Sequence, residues 1–141
     1  MFKDWSSYAF IRLEGREGME LEILVVRPLV KDSAIDFHLP GSAKNDSDEH
    51  SVDTLLRAIY AMTGLRVKPD RVRRIKLPNK GRTKEKSHRL RFYLVSLRAE
   101  QFLDRESMAD GPELEFITIS NAISLKEHIE PHGDLIRLAG L

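Results

Sequence analysis

The chain is predicted to be a single α/β domain, and three observations lead there. Its 141 residues fit one domain, residues 1–141, and suffice to bury a sizeable core. With 41% hydrophobic and 32% charged residues, the balance is that of a folded globular protein rather than a disordered one. Strand-like and helix-like segments alternate along the chain, the order of an α/β fold.

Tyr8 to Leu13 and Leu21 to Arg27 are rich in strand formers. The intervening Gly15-Arg16-Glu17-Gly18 reads as a turn, so the two predict a hairpin. Asp36 to Leu39 is a short extended piece leading into Pro40-Gly41, and Ser42 to Glu49 is polar loop. Ser51 is an N-cap residue type and Asp53 suits the positive end of a helix dipole. The helix continues to Thr63 and stops at Gly64. Val52, Leu55, Leu56, Ile59 and Met62 recur at helical spacing as one core-facing stripe.

Val72 to Leu77 and Leu90 to Leu97 predict a second strand pair, joined by the loop Pro78 to Arg82. Alternation puts Leu90, Phe92 and Leu94 on one face, and Arg89, Arg91 and Tyr93 on the other. Ala99 to Glu106 reads as a short helical connection, and Phe116 to Ile119 as a further strand. Ser120 then caps a helix expected to run to about His128. Pro131-His132-Gly133 breaks the chain before an amphipathic turn over Leu135 to Leu138.

Composition excludes several classes. The absence of cysteine rules out disulfides and thiolate metal sites, and suits a reducing, cytoplasmic location. The opening residues MFKDWSSYAF lack the apolar stretch of a signal peptide. No run approaches the ~20 apolar residues of a membrane span, so no membrane partner is expected. Charge, by contrast, is concentrated. Between Arg66 and Arg91 lie twelve basic and two acidic residues, a net of +10 within a chain of net +1. Such asymmetry suits a surface that attracts phosphates or nucleic acid, and equally a solvated hairpin. Phe92 and Tyr93 are the only stacking aromatics close by, few for a single-strand binder.

The most informative stretch is LPGSAKNDSDEHSVDTLLRAIYAMTGL, residues 39–65. It resembles the box of the Nudix family, G-x5-E-x7-R-E-U-x-E-E-x-G-U with U a bulky apolar residue. Leu39-Pro40-Gly41-Ser42 matches the L-P-G-G opening except at Ser42, and six residues rather than five separate Ser42 from Glu49. From Glu49 the spacing is the family's, with Arg57, Ile59, Gly64 and Leu65 in place. The three remaining glutamate positions are Ala58, Ala61 and Met62. Further on, Glu113-Leu114-Glu115-Phe116-Ile117-Thr118-Ile119-Ser120 is similar to the acidic residue, short strand and capped helix found late in many family members. The resemblance implies a Nudix-like α/β/α sandwich with a mixed β-sheet, and descent from hydrolases of nucleoside diphosphate derivatives.

Its chemistry is interrupted at those three positions. In the family, box glutamates hold a divalent metal against a diphosphate. Positions 58, 61 and 62 fall on neighbouring parts of one helix face, where carboxylates would share a metal. Magnesium takes hard oxygen ligands, whereas two methyls offer none and a thioether is soft. The resemblance therefore implies a degenerate box, a pseudoenzyme without a metal cofactor.

The surviving residues Gly41, Glu49, Arg57 and Gly64 are expected to be structural, with a Glu49–Arg57 pair tying loop to helix. Asp46, Asp48, Glu49, His50 and Asp53 crowd the helix start, but an acidic helix N-terminus is ordinary dipole complementarity. The five histidines have no cysteine to complete a zinc set, and neither a G-x-S-x-G elbow nor a phosphate-binding G-x-x-x-x-G-K-[ST] loop occurs.

Three functions follow from these readings. The first is a non-hydrolytic binding domain for a nucleotide-like or phosphorylated ligand or a protein partner, with Arg57, Tyr60, Arg89 and Arg91 as contacts. The second is an Mg- or Mn-dependent hydrolase using Glu49 with Glu113 or Glu115 as catalytic carboxylates. The third is a nucleic-acid or ribonucleoprotein component using residues 66–91. A homodimer is compatible with each.

Overall fold

The computed structural model describes residues 4–15, 18–27, 36–76, 88–106, 112–125 and 128–130. Among the described residues, eight strands form two four-stranded sheets. The first is ordered β4 (Gly41–Ala43), β1 (Asp4–Leu13), β6 (His88–Leu97), β5 (Val72–Ile75). Within it β1 runs parallel to β6 over ten residue pairs, from Asp4 opposite His88 to Leu13 opposite Leu97. Its other neighbours are antiparallel, so the sheet is mixed. The second is ordered β7 (Leu114–Thr118), β2 (Glu22–Val26), β3 (Phe37–His38), β8 (Ile129–Glu130). Helices α1 (Ser51–Thr63), α2 (Ala99–Leu103) and α3 (Ile119–Ser124) flank the sheets. The α/β/α sandwich with a mixed sheet is thus observed.

Two apolar clusters hold the layers together. One joins Phe10, Phe92 and Leu94 of the first sheet to Ile23, Val25, Phe37 and Ile117 of the second. The other joins Leu55 and Ile59 of α1 to Ala9, Ile11, Tyr93 and Val95 on the opposite side of β1 and β6. Both faces of these central strands are therefore covered, and their sequences read as continuous apolar runs rather than strict alternation.

Several expectations change. The first two strands do not form a hairpin, because β1 gives one edge to β6 and the other to β4. With no edge of β1 left, the chain crosses after Leu13 and β2 pairs with β3 and β7 in the other sheet. The alternation in β6 holds, with Phe92 and Leu94 on one face and Tyr93 on the other, and Tyr93 is buried beneath α1, hydrogen-bonded to the Ser51 hydroxyl. Ser42 and Ala43, expected in the loop, extend the first sheet as part of β4. Helix α1 is capped by extended His50 rather than Ser51, and the Asp53 carboxylate accepts from the His50 N–H at 2.9 Å. The α3 cap is Thr118, whose hydroxyl accepts from the Asn121 N–H, and the helix closes at Ser124. The β5–β6 pair is antiparallel as expected, while the loop Pro78 to Arg82 and residues 131–141 lie outside the described residues.

Candidate functional site

The box forms a strand, a loop and a helix clamped together at three points. At the first, Gly41 pairs with Tyr8 across β4 and β1. A Cβ there would lie 2.2 Å from the Ser7 carbonyl oxygen and 2.8 Å from Tyr8 Cα, so only glycine permits this approach. The Gly41 N–H is directed at Met62 Sδ, 3.4 Å away in the last turn of α1. Met62 thus ties the strand to the helix.

The second point is Asp48, whose residue is 6% exposed. Its Oδ2 accepts from Arg57 Nη2 at 2.9 Å, the Thr54 hydroxyl at 2.8 Å and the Asn45 N–H at 3.0 Å. Arg57 also donates to the Ala43 carbonyl at 3.2 Å, and the Trp5 indole N–H donates to Thr54 Oγ1 at 2.9 Å. Arg57's hydrogen bonds hold the Asp48 carboxyl well below the usual carboxylate range, against a smaller desolvation effect. The expected Glu49–Arg57 pair is therefore corrected: Arg57 takes Asp48, and Glu49 is exposed. The irregular spacing now has a reason. Ser42-x5-Asp48 keeps the five-residue interval of the box, and the extra residue falls between Asp48 and Arg57.

The third point is the helix end. Gly64 adopts φ 77°, its N–H bonds the Tyr60 carbonyl at 2.9 Å, and its own carbonyl accepts from the Glu106 N–H at 3.1 Å. Tyr60 donates its hydroxyl to Glu106, and the Arg66 guanidinium lies 4.5 Å over the Tyr60 ring while pairing with Glu106 at 2.8 Å. The Glu106 hydrogen bond raises the Tyr60 phenol above its ordinary pKa, since it favours the protonated form.

Between these clamps stand positions 58, 61 and 62. Ala58 is 2% exposed, Ala61 is exposed and Met62 is half-buried. None supplies an oxygen, so this donor set does not fit magnesium or manganese. Among the described residues no three His, Cys, Asp or Glu side chains converge on a metal position. In the acidic loop Asp48 is held by Arg57, and Asp53 caps the helix.

The proposed catalytic carboxylates are not brought together. Glu49 precedes the first turn of α1, whereas Glu113 shares a cleft with Met62 at the last turn. The rise of a helix puts those ends roughly 18 Å apart. Glu115 pairs with Arg27 at 2.9 Å, and Glu113 lies 3.9 Å from the same guanidinium. Arg57 and Tyr60 share α1 but hold different partners. In β6, Arg91 lies opposite Ser7, whose hydroxyl donates to the Ser51 carbonyl, so it sits toward the start of α1. Arg89 lies opposite Trp5 in the same register.

The cleft at the helix end encloses about 380 Å³ and is bounded by Met62, Leu103, Arg105, Glu106, Glu113 and Leu114. Sequence reasoning singled out Met62 and Glu113 and missed Arg105, which has no motif around it. A larger cleft of about 610 Å³ at the crossing from β1 to β2 involves no box residue, and its Glu14 and Glu20 already bind Arg71 and Ser120.

No family profile matches the chain, and no curated protein does. Solved structures do. A MutT/nudix family protein from Listeria innocua superposes with a TM-score of 0.66 at 17% identity, covering 99% of this chain and 93% of that one. The NUDIX domain of Shewanella oneidensis NrtR, solved with ADP ribose, gives 0.64 at 16% identity, covering 96% of this chain and 85% of that one. Against a longer NrtR chain the score is 0.65 at 15% identity, and this chain covers 60% of it. The fold is the Nudix α/β/α sandwich.

Proposed function

We propose that this chain is a Nudix-fold binding domain that holds a nucleotide-like or phosphorylated ligand without hydrolysing it. One observation carries the reading: the box helix keeps its clamps at Gly41, Arg57 and Gly64 but presents Ala58, Ala61 and Met62 where the resemblance requires oxygen ligands. The scaffold that would aim a ligand at the helix is maintained, and its metal-binding groups are gone. The ADP ribose seen with the NUDIX domain of NrtR supports the ligand class.

Two residues of the basic segment have a separate explanation. Strand β5 is terminal in its sheet, and Arg73 and Arg74 are exposed on it. Charged side chains on a terminal strand discourage pairing with another chain.

A thermal-shift screen of ADP ribose, nucleotides and nucleotide sugars, each with Mg²⁺ and with EDTA, tests the proposal. A ligand at a hundredfold excess over Kd stabilises by about 2.7 kcal/mol. The expected result is a shift that survives EDTA with no product formed. A shift confined to Mg²⁺, accompanied by cleavage, would overturn it in favour of a hydrolase.

A further inference from the structure

A diphosphate carries charge that some cation must meet, and the box helix of this chain has no ligands with which to recruit one. The cleft at its end already contains a cation. Arg105 is half-buried there, across a space it shares with Met62. Its guanidinium lies 4.2 Å from the centroid of the Phe102 ring, and Nη1 donates to the Phe102 carbonyl at 2.9 Å. Phe102 is itself fixed, packed edge-on against Phe116 with ring centroids 5.1 Å apart. A stacked and tethered guanidinium is pre-oriented, so less freedom is lost when its remaining N–H groups engage an acceptor.

The electrostatic balance of the cleft points the same way. Of its two carboxylates, Glu106 is bound by Arg66 and Tyr60, and Glu113 lies beside the guanidinium of Arg27. Four described arginines have carboxylate partners: Arg27 has Glu115, Arg57 has Asp48, Arg66 has Glu106 and Arg71 has Glu14. Among the described residues no carboxylate pairs with Arg105. Met62 and Leu103 make nearby walls apolar, and Leu103 is 74% exposed. Met62, which shares the cleft, brings no charge to compete for the guanidinium.

We infer that Arg105 is the phosphate anchor of this cleft, supplying from the protein the positive charge that a box-bound metal would otherwise bring. The inference rests on the binding function proposed above and names its ligand subsite: the diphosphate of a nucleoside diphosphate derivative, gripped by two parallel N–H···O bonds from the guanidinium fork. About 380 Å³ is the lower end of the range for small-molecule sites, enough for part of such a ligand, with the remainder extending past Leu103.

Calorimetric titration in EDTA tests it, with ADP ribose as the probe and adenosine as the phosphate-free control. Arg105→Gln is expected to weaken ADP ribose binding at least tenfold, about 1.4 kcal/mol. Any adenosine binding should stay unchanged. Arg105→Lys, which keeps the charge and loses the fork, should fall between the two. Equal ADP ribose affinity in wild type and Arg105→Gln would overturn the anchor while leaving the binding function intact. Should Arg105→Gln fail to fold, full affinity in Arg105→Lys would overturn the forked contact by itself. If wild-type protein bound no ADP ribose, nucleotide or nucleotide sugar in EDTA, the binding function would fail and the anchor with it.

Discussion

Asp48 and Arg57, nine positions apart, meet through a 2.9 Å contact that fastens the box loop to the box helix. The Asp48 side chain is 4% exposed and the Arg57 side chain 38% exposed, so the carboxylate is enclosed while its partner remains partly in water. Breaking a buried pair typically costs 3–5 kcal/mol. Because Arg57 can rehydrate, Asp48→Ala is expected to cost about 3 kcal/mol, the lower end of that range. Urea unfolding followed by the fluorescence of Trp5, the single tryptophan, reports this directly, since its indole bonds Thr54, which bonds Asp48. A loss below about 0.5 kcal/mol, as at an ordinary surface site, would show that the pair is not a clamp.

The same carboxylate predicts an acid dependence. Arg57 holds its folded-state pKa below the unfolded value, so the stabilisation is complete above about pH 4. It is lost as pH falls from there through the folded-state value. Thermal melts should show wild type losing stability below pH 4 more steeply than Asp48→Asn. Parallel curves would contradict the assignment.

A glutamate should be rejected at one position of α1 and tolerated at another. Ala58 is 2% exposed against the sheet, so Ala58→Glu forces a carboxylate into apolar surroundings and should cost about 3 kcal/mol or more. Ala61 is exposed, and Ala61→Glu should stay within about 0.5 kcal/mol of wild type. Differential scanning calorimetry of the two variants distinguishes a helix packed closely onto its sheet at Ala58 from one with room for a carboxylate there.

Gly64 is constrained twice. Its φ of 77° is unfavourable for side chains, and a Cβ would come within 2.3 Å of the Glu106 carbonyl oxygen. The left-handed conformation alone costs about 1–2 kcal/mol. Gly64→Ala should exceed that, because the Glu106 backbone must also withdraw. A chemical-denaturation loss of 1 kcal/mol or less would mean that the helix end and residue 106 are not in contact.

The Tyr60–Glu106 hydrogen bond is expected to delay phenol ionisation. Because the folded-state pKa is raised, any stabilisation from this bond is present below about pH 10 and fades as pH rises through the higher folded-state value. An ultraviolet absorbance titration should show one tyrosine ionising late, and Glu106→Ala, which removes the acceptor, should return it toward the ordinary range. An unchanged titration would sink the bond.

Residue identity and spacing were enough for the α/β order, the span of the box helix to Thr63, its glycine stop and the absence of oxygen ligands at positions 58, 61 and 62. These depend on residue identity and spacing along a few turns, and local geometry converts spacing into a shared face. The sequence did not determine where β2 pairs, because that depended on which strands had already taken both edges of β1. Nor did it separate Asp48 from Glu49 as the partner of Arg57: adjacent carboxylates look equivalent until the loop turns one inward and leaves the other in water. Arg105 was invisible for the same reason. Nothing local marks it, and only the packing of Phe102 on Phe116 brings its guanidinium to the cleft beside Met62. Pairing and enclosure are competitions between segments distant in the chain, and tertiary structure is where they are decided.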